Sequence, residues 1–196
     1  MSRLVLASSS RYRRQLLDRL EIPYTWAAPE IDETRRPGEE ATTLAHRLAL
    51  TKAQAIADDY PDHLIIGCDQ LALFEGDILG KPGDIDTACA NLRRFSGKQV
   101  TFMAGLALID TGAGRHRVVH ETYDVQFREL SSQEIDNYVR RDEPFDSAGS
   151  FRMEGLGIAL FERFAGDDPN TLIGLPLIRL CALLRDAGID PLAQGS

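Results

Sequence analysis

The chain has 196 residues, 43% hydrophobic and 27% charged, the balance of a globular protein long enough to bury its own core. With 22 Lys and Arg against 30 Asp and Glu, its formal charge is -8, a surface that repels nucleic-acid phosphates and excludes a nucleic-acid-binding module on bulk electrostatics. Three separated cysteines without a CxxC pair, no apolar run of membrane-spanning length and no signal-peptide pattern point to a reduced, cytoplasmic protein with no membrane partner.

Residues 3–7 read as a buried strand, and Ser10 as the N-cap of a helix running to about Leu20. The stretch "EEATTLAHRLALTKAQAIADDY" places Leu44, Leu48, Ala55 and Ile56 on one helical stripe. Next, "DDYPDHLIIGCDQLALFEGDILGKPGD" reads as strand, turn, strand, with "EGD" the turn. A helix follows in "DIDTACANLRRFSG", closed by Gly97. "QVTFMAGLALID" and "HRVVHETYDVQFREL" flank the turn signal "TGAG" at 111–114 and predict an antiparallel hairpin. "SSQEIDNYVRR" opens on a capping box, Ser131 to Glu134, and so begins a helix. "LGIALFERFAG" reads as a further strand. "LPLIRLCALLRDAG" reads as a helix with Pro176 in its first turn and Gly188 after its last, and a short polar tail, "PLAQGS", ends the chain. Strands and helices are interspersed and several strands form hairpins, which predicts a mixed α/β class: a mixed sheet with helices packed on it, in a single domain over 1–196.

The stretch "RLVLASSSRYRRQLLDRL" concentrates hydroxyls and cations in an acidic chain. A strand, a serine-rich turn and a helix N-terminus together offer unpaired backbone N–H groups and the positive end of a helix dipole to an anion. Arg13 shares a helical face with Leu16, Leu17 and Leu20 and is expected to point inward, with Arg11 and Arg14 outward. The competing reading is a solvated basic patch. Lys52 lies on the apolar stripe of its helix, four residues from both Leu48 and Ile56. It either snorkels its ammonium to the surface or delivers a charge into a pocket between helix and sheet.

Asp69 follows the apolar "LIIGC" within an expected buried strand, where an unpaired carboxylate is costly, and strand ends in α/β proteins are favoured ligand sites. Gln70, beside it, points to the opposite face of a regular strand. Lys81, in "LGKP", can fold back toward Asp69, and Glu33 sits in the acidic turn "EIDE". The histidines His46, His63, His116 and His120 show no metal-ligand spacing and read as non-catalytic. No GxxxxGK[ST] or GxSxG motif is present. Cations, a hydroxyl-rich nest and two carboxylates suit a phosphate ester whose charge is shared between Lys/Arg and a carboxylate-bound Mg²⁺. The residues alone leave two readings open, a phosphoanhydride or phosphate-ester enzyme and a nucleotide binder.

Taken in order, "LASSSRYRRQLL", "EIDE", "LALTKA", "IGCDQ", "GKP", "FSGKQVTF", "EIDNYV" and "AGSFRMEGLG" resemble the Maf family of nucleoside triphosphate pyrophosphatases, from about residue 3 to residue 188. Within it they look like the YceF-type branch, which acts on 7-methyl-GTP. The resemblance implies a bent mixed sheet flanked by helices, two lobes around a nucleotide cleft, and a possible homodimer. It implies hydrolysis between the α and β phosphates of a nucleoside triphosphate, releasing a monophosphate and pyrophosphate, with a divalent metal cation (Mg²⁺ or Mn²⁺). By motif, Asp69 is the proton acceptor that activates water, Ser8, Arg13, Lys52 and Lys81 hold the triphosphate, and Glu33 joins Asp69 in binding metal.

Tyr12, Gln70 and Glu154 match the positions that set base choice, where the general branch preferring dTTP and UTP has arginine, threonine and glutamine. Methylation at N7 gives guanine a delocalised positive charge, which an aromatic face attracts. Glu154 can accept hydrogen bonds from the guanine N1–H and amine. Two positions depart from the pattern: Ser10-Arg11 replaces serine-proline at the helix start, and Tyr12 stands where the branch has tryptophan. The alternatives are a pyrophosphatase for dTTP, UTP or other non-standard nucleotides, and a non-catalytic nucleotide-binding regulator of cell division.

Overall fold

A computed structural model describes residues 3–153 and 155–193. Leu4–Ala7 forms β1, buried at every position as a strand covered on both faces must be. Ser10 caps α1 (Arg11–Asp18) by accepting from the Arg13 backbone N–H at 3.4 Å, and the helix stops short of the predicted Leu20. Then comes β2 (Thr25–Ala27), a strand too short to show in the pattern. α2 (Ala41–Gln54) buries Leu44 and Leu48 as predicted, but Ala55 is its exposed C-cap and Ile56 is buried from beyond its end.

β3 (Leu64–Phe74) turns at Glu75-Gly76 into β4 (Asp77–Leu79), with both turn residues at positive φ as a two-residue hairpin requires. α3 (Ile85–Phe95) is capped by Asp84 and followed by Gly97 at φ 70°. β5 (Gln99–Asp110) and β6 (Arg115–Phe127) are neighbours joined by residues 111–114, too few for a parallel crossover. α4 (Ser132–Asp142) carries the full Ser131/Glu134 capping box.

The predicted strand "LGIALFERFAG" divides. Leu156–Leu160 is a 3-10 turn, and only Phe161–Gly166 extends, as β7. The reason is local: Gly155 donates its N–H to the Arg152 carbonyl, and a Cβ on Gly157 would sit 2.3 Å from that same oxygen, so the chain doubles back before it can extend. α5 (Leu177–Asp186) closes the order, with Pro176 at its N-cap rather than inside its first turn and Gly188 beyond its end at φ 85°. No helix among the described residues is long and apolar enough to cross a membrane.

The hydrogen-bonded strand order is β2-β1-β3-β5-β6-β7, with β4 on β3. β1 runs parallel to β2 and β3, while β3–β4 and β6–β7 are antiparallel, so the sheet is mixed. By its contacts the chain forms two compact units, one of residues 1–69, 104–121 and 173–196, the other of 70–103 and 122–172. In the first, strand alternation sorts the core. Val5, Ala7 and Ile65 pack with Ala53 of α2, and Leu4, Leu6, Leu64, Ile66 and Cys68 pack with leucines of α1 and α5. The second unit is built on aromatic contacts, with Phe127 meeting Phe151 and Phe161 edge to face at centroid distances of 6.0 and 4.8 Å and Phe95 at a tilt at 5.5 Å.

Candidate active site

Close backbone approach decides where α2 lies. A Cβ on Gly67 of β3 would come within 2.0 Å of the Ala49 carbonyl, and one on Gly105 of β5 within 2.2 Å of the Ala45 carbonyl. Only residues without side chains let the helix lie this near the sheet. Asp69 follows Gly67 by two residues and so shares its face, and Lys52 projects from the seated helix toward it.

The two side chains meet. Lys52 Nζ donates to Asp69 Oδ1 at 2.6 Å, and the residues are 7% and 6% exposed. The same ammonium lies 2.8 Å from Glu33 Oε1, brought in by the segment between β2 and α2. Of the two readings of Lys52, delivery of charge to an interior site is the one realised. Asp69 lies within a buried strand as expected, inside β3, which continues past it to Phe74. A carboxylate there is tolerable because its counterion is supplied by α2.

Beside β1, Ser8 is 4% exposed, and its hydroxyl oxygen accepts from the Ser10 backbone N–H at 3.2 Å and from Arg13 Nη1 at 3.4 Å. With its lone pairs so engaged, the Ser8 hydroxyl hydrogen remains for an incoming acceptor. Arg13 turns inward as predicted. Its Nε donates to the Gly174 carbonyl at 3.1 Å, and a Cβ on Gly174 would press on that guanidinium at 3.0 Å, so the glycine keeps the arginine's place open.

The outward arginines differ from expectation in one respect. Arg11 is exposed, but Arg14 is half-buried with its guanidinium over the Trp26 ring at 4.1 Å. Arg11 also stands over the Tyr12 ring at 4.6 Å and donates to the Tyr12 hydroxyl at 2.6 Å.

Ser8, Arg13, Glu33, Lys52 and Asp69 therefore belong to one unit, in two connected groups, Lys52 with both carboxylates and Arg13 with Ser8. Gln70 and Lys81 belong to the other. There Gln70 Nε2 donates to the Thr171 carbonyl at 2.7 Å, and exposed Lys81 contributes to holding the Asp146 carboxyl below its ordinary value, behind the larger effect of Arg152. Glu154 lies outside the described residues.

Two of the histidines read as non-catalytic lie side by side, a pairing that the sequence spacing did not mark. His46 of α2 and His120 of β6 share a 3.0 Å hydrogen bond, and burial, then His120, hold the His46 imidazole below its usual range. Sequence reasoning also passed over Gly67, although a glycine inside an apolar strand signals close backbone approach. It passed over Arg47 and Glu39 as well, eight residues apart across a loop and a helix, a spacing no local pattern marks.

As to metal, no group of three or more His, Cys, Asp or Glu side chains among the described residues is arranged to cage an ion. The two carboxylates that meet at the Lys52 ammonium are too few to cage an ion by themselves, and would suit only a cation that brings phosphate oxygens and water as its other ligands, as Mg²⁺ does.

The chain matches the family model described as Maf-like protein over residues 3–187. It is 69% identical over 192 residues to a Chromohalobacter salexigens protein named 7-methyl-GTP pyrophosphatase, covering 98% of this chain and 100% of the relative. Among solved structures it is similar to the Ham1 protein of Staphylococcus aureus, with a TM-score of 0.53 over 94% of this chain and 98% of that one. At 12% identity that is a likeness of fold alone. A family match over nearly the whole length, with a full-length relative at such identity, fixes the assignment: this chain belongs to the Maf family.

Proposed function

We propose that this protein is a nucleoside triphosphate pyrophosphatase that converts 7-methyl-GTP and water to 7-methyl-GMP and pyrophosphate. The observation that carries the reading is the 69% identity, over the whole length of the relative, to a protein named for that activity. The geometry supplies a consistent chemistry. Asp69 accepts a proton from water as the water oxygen bonds to phosphorus and the bond to the α–β bridging oxygen breaks. Lys52, already between two carboxylates, and Arg13 with the Ser8 hydroxyl offer positive charge and a donor to the polyphosphate.

Lys81 is assigned to the same task by its match to the family motif. Asp69 and Glu33 would hold a divalent cation, Mg²⁺ or Mn²⁺, which supplies charge to the departing pyrophosphate. Base choice is assigned to Tyr12, Gln70 and Glu154. The Arg11 guanidinium over the Tyr12 ring supports this in one respect, because a planar cation stacked on that ring is what a methylated guanine would present.

The test is pyrophosphate release from 7-methyl-GTP, GTP, dTTP, UTP and CTP, each with Mg²⁺ and with Mn²⁺. Preference for 7-methyl-GTP is expected. Preference for dTTP or UTP would keep the reaction and discard the assignment of Tyr12, Gln70 and Glu154. Binding without turnover would replace the enzyme by a nucleotide-binding regulator.

A further inference from the structure

Residues 28–40 form neither helix nor strand, yet they bring Glu33 to the Lys52 ammonium. The segment is organised around one buried carboxylate, Glu39. Arg47 grips it with both arms, Nε to Oε1 at 2.6 Å and Nη2 to Oε2 at 2.8 Å, a bidentate fork. The same Nη2 donates to the carbonyl of Thr34, the residue after Glu33, at 3.1 Å. Glu39 Oε2 also accepts from the Arg36 backbone N–H at 3.0 Å, and Arg35 Nε donates to the Glu39 carbonyl at 2.9 Å. Arg47 and Lys52 both stand on α2, so the anchor of the segment and the ammonium it reaches are held at a separation set by the helix.

We propose that Arg47 and Glu39 are positioning residues: their fork fixes where the Glu33 carboxylate stands, and through it the strength with which the site takes a divalent cation. The proposal rests on the reading of Glu33 as a cation-binding group. A lysine at position 47 would keep the charge but lose the fork and its reach to Thr34.

The experiment compares Arg47→Lys, Glu39→Gln, Glu33→Gln and the Arg47→Lys/Glu33→Gln double variant. Amide hydrogen exchange over residues 32–38, Mn²⁺ binding by electron paramagnetic resonance, and pyrophosphate release against Mn²⁺ concentration are read in parallel. Arg47→Lys is expected to speed exchange in 32–38 with 41–54 and 64–74 unchanged. It is also expected to weaken Mn²⁺ binding and raise the Mn²⁺ needed for half-maximal rate by about 10- to 100-fold, the usual range for outer groups that orient a ligand. In the Glu33→Gln background the same change should add nothing further.

Exchange in 32–38 unaltered in Arg47→Lys, or effects of Arg47→Lys and Glu33→Gln that multiply independently, would overturn the proposal. Should Arg47→Lys fail to fold, Glu39→Gln breaks the same fork from its other side, and the same two outcomes decide. A wild-type protein that hydrolyses no triphosphate would overturn the functional reading alone, and the exchange and Mn²⁺ measurements would then decide the fork.

Discussion

An ammonium and a carboxylate both withdrawn from water, as in Lys52 and Asp69, depend on one another, because removing either strands the other in a medium that solvates it poorly. Lys52→Met should therefore lower stability by about 3–5 kcal/mol in urea unfolding, the usual cost of leaving one buried charge unpaired. Asp69→Asn is the milder change, since Lys52 keeps Glu33 at 2.8 Å. Under the proposed chemistry it should slow pyrophosphate release by about 10²- to 10⁴-fold, the span of general-base effects, while nucleotide binding by calorimetry stays close to wild type. Undiminished turnover in Asp69→Asn would remove that residue from its role. The sequence carried this pair only halfway. It flagged both residues from the expense of a charge on an apolar face, but the partners stand 17 residues apart on a helix and a strand, and their pairing depends on how closely those two elements pack.

That packing is a matter of elements, and Gly67 controls it. Gly67→Ala would drive its Cβ against the Ala49 carbonyl and push α2 from the sheet, at about 1–3 kcal/mol or more as an overpacked contact. Urea unfolding of the variant, with Lys52 and Asp69 intact, reads it. At the start of α4 the Glu134 carboxyl is pulled to about 2 from its ordinary 4.5, by its hydrogen bonds to Ser131 first and Arg128 after. A depressed folded-state value means that the stabilisation is complete above 4.5 and fades as pH falls toward 2. Glu134→Gln should therefore melt below wild type at neutral pH, with the difference closing on acidification. A difference that persists at acid pH would assign the loss to packing instead. Such local devices were readable beforehand: the Ser10 cap, the capping box and the turn before β4 each declare themselves within a few residues. Three-residue β2 and the 3-10 turn at Leu156–Leu160 did not, because the first is too short for any periodicity and the second is apolar enough to imitate a strand.

For the whole molecule, a formal charge of -8 coexists with an interior ammonium and an inward guanidinium, so net repulsion of a polyanion is set against cations held in place by the fold. Fluorescence anisotropy should accordingly show no binding of a short DNA duplex at physiological salt, whereas a labelled nucleoside triphosphate is retained. DNA binding at that salt would place a basic surface where none is expected. β3 carries a different kind of consequence. Asp69 and Gln70 are consecutive on one strand and face opposite ways, and in the proposed assignment one serves the reaction and the other the base. Substitution at codon 70 leaves the neighbouring carboxylate where it is, so drift in base preference is open to point mutation. Loss or gain of a single codon between Leu64 and Cys68 would exchange the two faces and disable both at once. Lineages descended from this protein are thus expected to vary in letter along β3 and to hold its length constant.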